Sequence, residues 1–202
     1  MTENEARAWA AARFDSAAMD RLERLAAIVA AESERQNLVA RSTLDAIWSR
    51  HIVDSLQLVA LGPEGKWIDV GTGAGFPGLA VAAVEPDRPM VLVEPRRLRA
   101  DYLADAAKRL GLTNVSVLAT KIESVRDKAT VISARAVSRI GPLLSSAAQC
   151  ANNGTVWLLP NGRNADDEVA EARLTWHGVF HVEQSITNPE SAIVIARGVR
   201  RR

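Results

Sequence analysis

Cysteine is almost missing from this chain, and its scarcity removes two classes of protein. Among 202 residues only Cys150 is a cysteine, so neither an intramolecular disulfide framework nor a cysteine-rich zinc site can form, and the sequence fits a reducing compartment. Cys150 lies in Ala147-Ala148-Gln149-Cys150-Ala151, a helix end, where it reads as a small packed residue and not a nucleophile. Histidine is scarce too: His51, His177 and His181 show no metal-binding cluster with carboxylates or thiols, and no metal is expected. No apolar run is long enough for a bilayer, because the longest charge-free stretch, Ile140 to Gly162, is interrupted by Asn152-Asn153-Gly154 and Pro160,. The acidic, alanine-rich start carries no signal-peptide pattern, so a cytoplasmic protein without a membrane partner is expected. A net charge of +1 is no nucleic-acid signature by itself, which leaves local clustering as the thing to read.

What is present fits one α/β domain. Hydrophobic residues make up 48% of the chain, enough for a single core that buries roughly 70% of the unfolded surface. From Asp15 to Gln36, Met19, Leu22, Leu25, Ile28 and Val29 recur at helical spacing behind the caps Asp15 and Ser16,. A second helix is expected from Ser42 or Thr43 to Gly62-Pro63, with Leu44, Ile47, Val53, Leu56 and Val59 on one broad face,. From Lys66 the rhythm changes to short apolar runs alternating with helical stretches. Strands are expected at Trp67–Val70, Met90–Glu94, Val115–Leu118, Thr130–Ser133 and Thr155–Leu159, and helices at Pro77–Val84, Arg97–Leu110, Pro142–Cys150 and Asp166–Leu174,. Two last runs, Gly178–Val182 and Ala192–Ala196, have no helix between them and read as an antiparallel pair closing the sheet,. The expected architecture is a doubly wound, Rossmann-like α/β sheet over residues 64–202 with an N-terminal helical cap over 1–63, one domain acting as a monomer,.

The densest chemistry lies in Asp69-Val70-Gly71-Thr72-Gly73-Ala74-Gly75-Phe76-Pro77-Gly78, directly after a strand, with Glu94 closing the next strand. Glycines permit a tight turn and close approach of a ligand, and a carboxylate about 20 residues on can accept both hydroxyls of a ribose. A dinucleotide fingerprint needs glycine where Phe76 stands, and a P-loop needs a Gly-Lys-Ser/Thr ending that Phe76-Pro77-Gly78 does not supply,. Both NAD and ATP are therefore disfavoured. S-adenosylmethionine (AdoMet), which carries no phosphate, remains, with Gly71, Gly73, Gly75, Phe76 and Glu94 around it. Asp69 either orients the loop or touches the cofactor ammonium.

The arginines cluster. Arg96, Arg97 and Arg99 follow Glu94, Arg41 and Arg50 flank the second helix, and Arg197, Arg200, Arg201 and Arg202 crowd the last strand. Phosphate contact and a solvated surface are both open readings for each, and only a common location decides between them. Arg50, His51 and Asp54 lie on adjoining helix faces, as a surface ion pair or as positioning groups,. His51 is expected to titrate near its ordinary ~6.5.

Asn37-Leu38, then Arg50-His51-Ile52-Val53-Asp54-Ser55, then the Asp69–Gly78 loop, then Ser133-Ala134-Arg135-Ala136-Val137 together resemble the small-subunit rRNA guanine-N7 methyltransferases, the glucose-inhibited division protein B family. The resemblance covers most of the chain. It implies methyl transfer to N7 of a guanine in the decoding-region loop of 16S rRNA, as free RNA or in the small ribosomal particle. It places Gly71, Phe76, Ile122, Glu123 and Arg135 around AdoMet, with Ile122-Glu123 flanking adenine. Two departures stand out: Asn37-Leu38-Val39 replaces the family's Asn-Leu-Thr, and Pro160-Asn161-Gly162 replaces Leu-Lys-Gly, with Arg163 close enough in sequence to stand in for the lysine. The chemistry is consistent with what the chain lacks. Guanine N7 has a lone pair and no proton, so no general base is required and His51 is expected to position, while no Asn/Asp-Pro-Pro-aromatic loop is present for amine methylation,. A non-catalytic AdoMet-binding assembly factor and a small-molecule methyltransferase are the competing functions.

Overall fold

The computed structural model covers residues 1–202. Its centre is a seven-stranded sheet in the order β3-β2-β1-β4-β5-β7-β6, where β1 is Trp67–Val70, β2 Met90–Val93, β3 Val115–Leu118, β4 Val131–Ala134, β5 Val156–Asn161, β6 Trp176–Gln184 and β7 Ala192–Arg201. The first five strands run parallel and the last two form an antiparallel ribbon, with β7 inserted between β5 and β6. The runs in β1, β2 and β4 are buried throughout, as expected where helices cover both faces of a parallel sheet. Alternate residues serve opposite layers. Trp67, Leu92, Val131 and Leu158 join one apolar cluster, while Ile68, Val93, Ile132 and Leu159 join the other.

On the first face lie α1 (Glu3–Ala11), α2 (Ser16–Gln36), α4 (Gly78–Val84) and α5 (Arg97–Arg109); α6 (Ile140–Ala147) and α7 (Ala165–Ala172) cover the second. Helix α4 is buried on every side from Gly78 to Ala83, which its all-apolar sequence requires. The cap helices lie directly over it: Arg21 Nε donates to the Ala83 carbonyl at 2.6 Å, and Leu22, Leu25 and Val29 share the cluster that holds Trp67 and Leu92. The ends of α2 follow local chemistry, with the Asp15 side chain accepting from Ala18 N and Asn37 closing the helix in the left-handed region at φ 50°,.

Two stretches depart from the sequence expectation. Helix α1 has no counterpart in it, although Thr2 and Glu5 form a full capping box, the Thr-x-x-Glu pattern that marks a helix start. The expected continuous helix from Ser42 to Gly62 is broken into a 3-10 turn at Arg41–Thr43, a π-helical turn at Trp48–Ile52, the short α3 (Val53–Leu56) and a 3-10 turn at Val59–Leu61. Its break is fixed from afar. Glu3 of α1 accepts Trp48 N at 3.0 Å and Ser49 N at 2.8 Å, two donors at the point where the wider turn begins,.

Candidate active site and cofactor cavity

The strand order reverses between β1 and β4, and a crevice opens outside the carboxyl ends of these strands, where doubly wound sheets bind ligands,. A cavity of about 550 Å³ lies there, within the range of small-molecule sites. One wall is the glycine loop; the facing wall is the broken segment with Thr43, Arg50, His51 and Asp54; Arg135 and Ala136 after β4 and Asn161 at the end of β5 close the sides.

The glycine loop is held from beneath by carboxylates. Asp69 is 0% exposed: its Oδ2 accepts Gly78 N at 3.0 Å, and its Oδ1 accepts Ser133 Oγ–H at 2.7 Å, which in turn accepts Trp67 Nε1–H at 2.7 Å. Burial pushes the Asp69 carboxyl up to about 6 against the pull of these donors,. Both Asp69 oxygens thus support the loop, and Asp69 does not border the cavity. Glu94 is also buried, with Oε2 accepting Gly73 N at 3.1 Å and Oε1 accepting Arg96 N at 2.9 Å. Each carboxylate oxygen keeps a second lone pair, so Glu94 can serve both the loop and a further donor.

Two glycines show how the loop divides its labour. Gly78 is where helix meets sheet: an added Cβ would lie 2.2 Å from Leu92 Cδ2 and 2.9 Å from Asp69 Oδ2. The close-packing glycine that a dinucleotide site has at position 76 therefore stands two residues later, and Phe76 is free to be a buried wall. Gly73, at φ +58°, lines the cavity, and a Cβ there would have no neighbour nearer than the Gly71 carbonyl at 3.7 Å. That opening is a cradle of the kind a nucleoside's approach to backbone requires.

The facing wall is a hydrogen-bonded network with Arg135 at its centre. Its guanidinium donates to Asp54 Oδ2 at 3.1 Å, to the Arg50 carbonyl at 3.1 Å and to His51 Nδ1 at 3.0 Å. With Nδ1 accepting, His51 carries its proton on Nε2, which donates to Thr43 Oγ1 at 2.9 Å,. Burial, then Arg135 and Arg50, push the His51 imidazole down to about 3, so the expectation of ordinary titration near 6.5 is corrected. The His51 ring stacks on Phe76 with centroids 5.2 Å apart and planes 20° apart, and the Arg135 guanidinium lies 5.5 Å from the centre of the Phe76 ring. The Arg50–Asp54 surface pair does not form; Asp54 pairs with Arg135 and also accepts from Thr187 Oγ1 at 3.1 Å.

Other expected site residues scatter. Ile122 is buried in the second apolar layer and Glu123 is exposed; neither borders the cavity. Arg96 and Arg97 open α5 at the cavity end of the sheet, Arg97 paired with Asp101 at 3.0 Å, and their neighbour Arg99 lines the cavity itself. Arg163 is exposed, paired with Glu190 and outside the cavity lining. Arg197 and Arg200 do not belong to this end at all. The register of β7 on β5 puts Ala192 beside Asn161 at the cavity and Arg197 beside Val156 at the opposite end. Sequence reasoning missed Glu168, Thr187 and Asn188, which also border the cavity; the Asn-Pro-Glu-Ser run after Thr187 signals a turn but not where the turn lands,.

Comparison with known proteins bears on the whole of this arrangement. The family model GidB, rRNA small subunit methyltransferase G, matches residues 18–194. The ribosomal RNA small subunit methyltransferase G of Novosphingobium aromaticivorans is 47% identical, covering 98% of this chain and 89% of that protein. The protein of the same name from Erythrobacter litoralis is 46% identical, covering 98% of this chain and 97% of its own. Among solved structures, a SAM-dependent methyltransferase from Aquifex aeolicus superposes with a TM-score of 0.62 at 15% identity, over 82% of this chain and 97% of that one, which is a likeness of fold. Since the family match takes in most of the cap, the glycine loop and the Arg135 wall together, the chain belongs to the GidB family of ribosomal RNA small subunit methyltransferases.

Proposed function

We propose that the protein transfers a methyl group from AdoMet to N7 of a guanine in the decoding-region loop of 16S rRNA. The observation that carries the choice of target atom is the state of the one imidazole on the cavity wall: His51 Nδ1 accepts from Arg135 and its Nε2 donates to Thr43, while its neighbour Asp54 is paired with Arg135. Such a wall suits an acceptor with a lone pair and no proton to lose, for which alignment and exclusion of water do most of the work. AdoMet, when bound, supplies a methyl on a positively charged sulfur, and the methyl passes to N7 as the sulfur–carbon bond breaks.

The residues of the chain then bind and orient. Gly71 and Gly73 present backbone to the cofactor, Glu94 accepts from the ribose hydroxyls, and Phe76 with its stacked His51 forms the flat floor against which the reacting groups are held. Arg135, already neutralised by Asp54, keeps the His51 ring in place and offers its remaining N–H groups to the cofactor carboxylate or the guanine. Ile122-Glu123 belongs to the adenine end, beyond the present cavity border. Arg96, Arg97 and Arg99 meet RNA phosphate at the rim. The protein works as a monomer in the cytoplasm, where its ribosomal substrate is made.

Incubation of unmodified small-subunit particles, and separately of bare 16S rRNA, with labelled AdoMet tests the assignment. Label on N7 of a single guanine is expected. Label on an exocyclic amine, or no label on RNA with AdoMet bound, refutes it, the latter outcome being that of a non-catalytic assembly factor.

A further inference from the structure

The arginines at the end of β7 lie far from the methyl-transfer cavity, yet they do not look like charges diluted into solvent. From Ala192, which lines the cavity, to Arg200 the strand runs eight residues, about 27 Å at the rise of an antiparallel strand. The ribbon there is ordered by main-chain bonds, with Arg200 opposite His177, Arg201 opposite Trp176 and Arg202 N donating to the Thr175 carbonyl at 3.0 Å. Arg197, Arg200, Arg201 and Arg202 are exposed, and none takes part in any of the ion pairs that tie up Arg7, Arg24, Arg35, Arg97, Arg109 and Arg139 elsewhere on the surface. Two aliphatic side chains stand open among them, Leu174 at 75% and Val179 at 70% exposure.

We propose that this pole of the sheet is a second RNA-binding face, gripping backbone phosphates of a segment remote from the target guanine. The inference rests on the rRNA reading given above. Unpaired guanidiniums on a fixed ribbon present rigid forks matched to phosphate oxygens, and the exposed leucine and valine leave room for sugar faces between them. Because the cavity and this face are at opposite ends of one rigid sheet, the enzyme spans its substrate and does not merely touch one loop. The far face contributes to binding and not to the methyl-transfer step.

The test is the triple variant Arg197→Gln, Arg200→Gln, Arg201→Gln beside its Lys counterpart. The glutamine variant is expected to bind protein-free unmodified 16S rRNA more weakly, with a log–log salt slope shallower by about 0.7 to 0.9 for each phosphate no longer held. Its KM for unmodified small-subunit particles rises, while kcat, AdoMet affinity and thermal midpoint stay those of the parent; the lysine variant keeps the parental slope. A glutamine variant with the parental slope and KM overturns the proposal. Weakening confined to particles, with bare rRNA bound normally, also overturns it and points to an acidic protein surface instead. Should the parent protein fail to methylate 16S rRNA, the function reading falls, and the rRNA binding slopes still decide whether the far face holds RNA.

Discussion

The two walls of the cavity are built by opposite means. The glycine loop, residues 69–78, takes its shape from its own backbone and from carboxylates immediately beneath it. The facing wall, residues 41–61, is a helix that local propensity would have kept straight and that remote residues hold broken at its middle: Glu3 from α1 at Trp48 and Ser49, and Arg135 after β4 at Arg50 and Asp54. The first wall tolerates little change inside it and has few remote supports, Ser133 beneath Asp69 and Glu94 beneath Gly73. The second is the reverse, because its geometry is the sum of polar links that each cross a long stretch of chain.

That contrast sets the ranking of expected effects. The largest is Gly78→Ala, where a new Cβ 2.2 Å from Leu92 Cδ2 must displace the core beneath the loop; overpacking of this kind costs about 1–3 kcal/mol or more, read by urea unfolding, and AdoMet binding is lost with it. Gly73→Ala sharpens the point. Its space is open, so stability falls by only about 1 kcal/mol for the left-handed backbone, while AdoMet affinity measured by calorimetry falls well beyond that; equal losses in both would remove Gly73 from the cofactor cradle.

Next comes Asp54→Ala, which strips Arg135 of its carboxylate in a half-buried setting and is expected to cost about 1–3 kcal/mol. The methylation rate should fall further than stability does, since His51 and Phe76 lose their clamp; an unchanged rate would make this wall structural only. Glu94→Ala is expected to weaken AdoMet binding by about 1–3 kcal/mol, and unchanged affinity would sink the ribose assignment. Glu3→Gln leaves one acceptor for the donors of Trp48 and Ser49 and should cost about 1 kcal/mol. Its effect is specific: the variant acts on the far wall, so AdoMet affinity at the glycine loop should hold while RNA methylation slows.

Acid pH separates the walls again. His51 has its folded value pushed down from 6.5 to about 3, so the unfolded chain binds the proton first and stability is lost as pH falls from about 6.5 towards 3. Asp69 is raised from 3.8 to about 6, so the folded chain binds the proton first and stability is gained as pH falls from about 6 to 3.8. His51→Gln should therefore flatten the acid loss of stability and Asp69→Asn should steepen it, the two curves bracketing the parent in unfolding measured between pH 4 and 7, roughly the window these two shifts span. The smallest expected effect is none at all: with His51 neutral throughout, the single-turnover methylation rate should stay level from about pH 6.5 to 8.5. A rise across that range that vanishes in His51→Gln would return the histidine to the role of base.

Local pattern sufficed for the parallel half of the sheet, the helices α2, α4 and α5 to within a residue or two, the nucleoside character of the Asp69–Gly78 loop and the pairing of β6 with β7. Each of these is written in neighbouring residues: apolar runs of strand length, caps such as Asp15, glycines that local backbone geometry demands. The remainder came from the packing of distant segments. It broke the helix at Trp48 because its donors found Glu3, turned Asp69 inward because Ser133 and Gly78 wait beneath it, and took Arg135 to Asp54 and His51 across the cavity. It also separated Arg96 from Arg197, two arginines alike in sequence, by running β7 antiparallel to β5. The physical reason is common to all four. A side chain's partner and its place along a strand depend on which distant segment the fold brings alongside, and no local pattern encodes that.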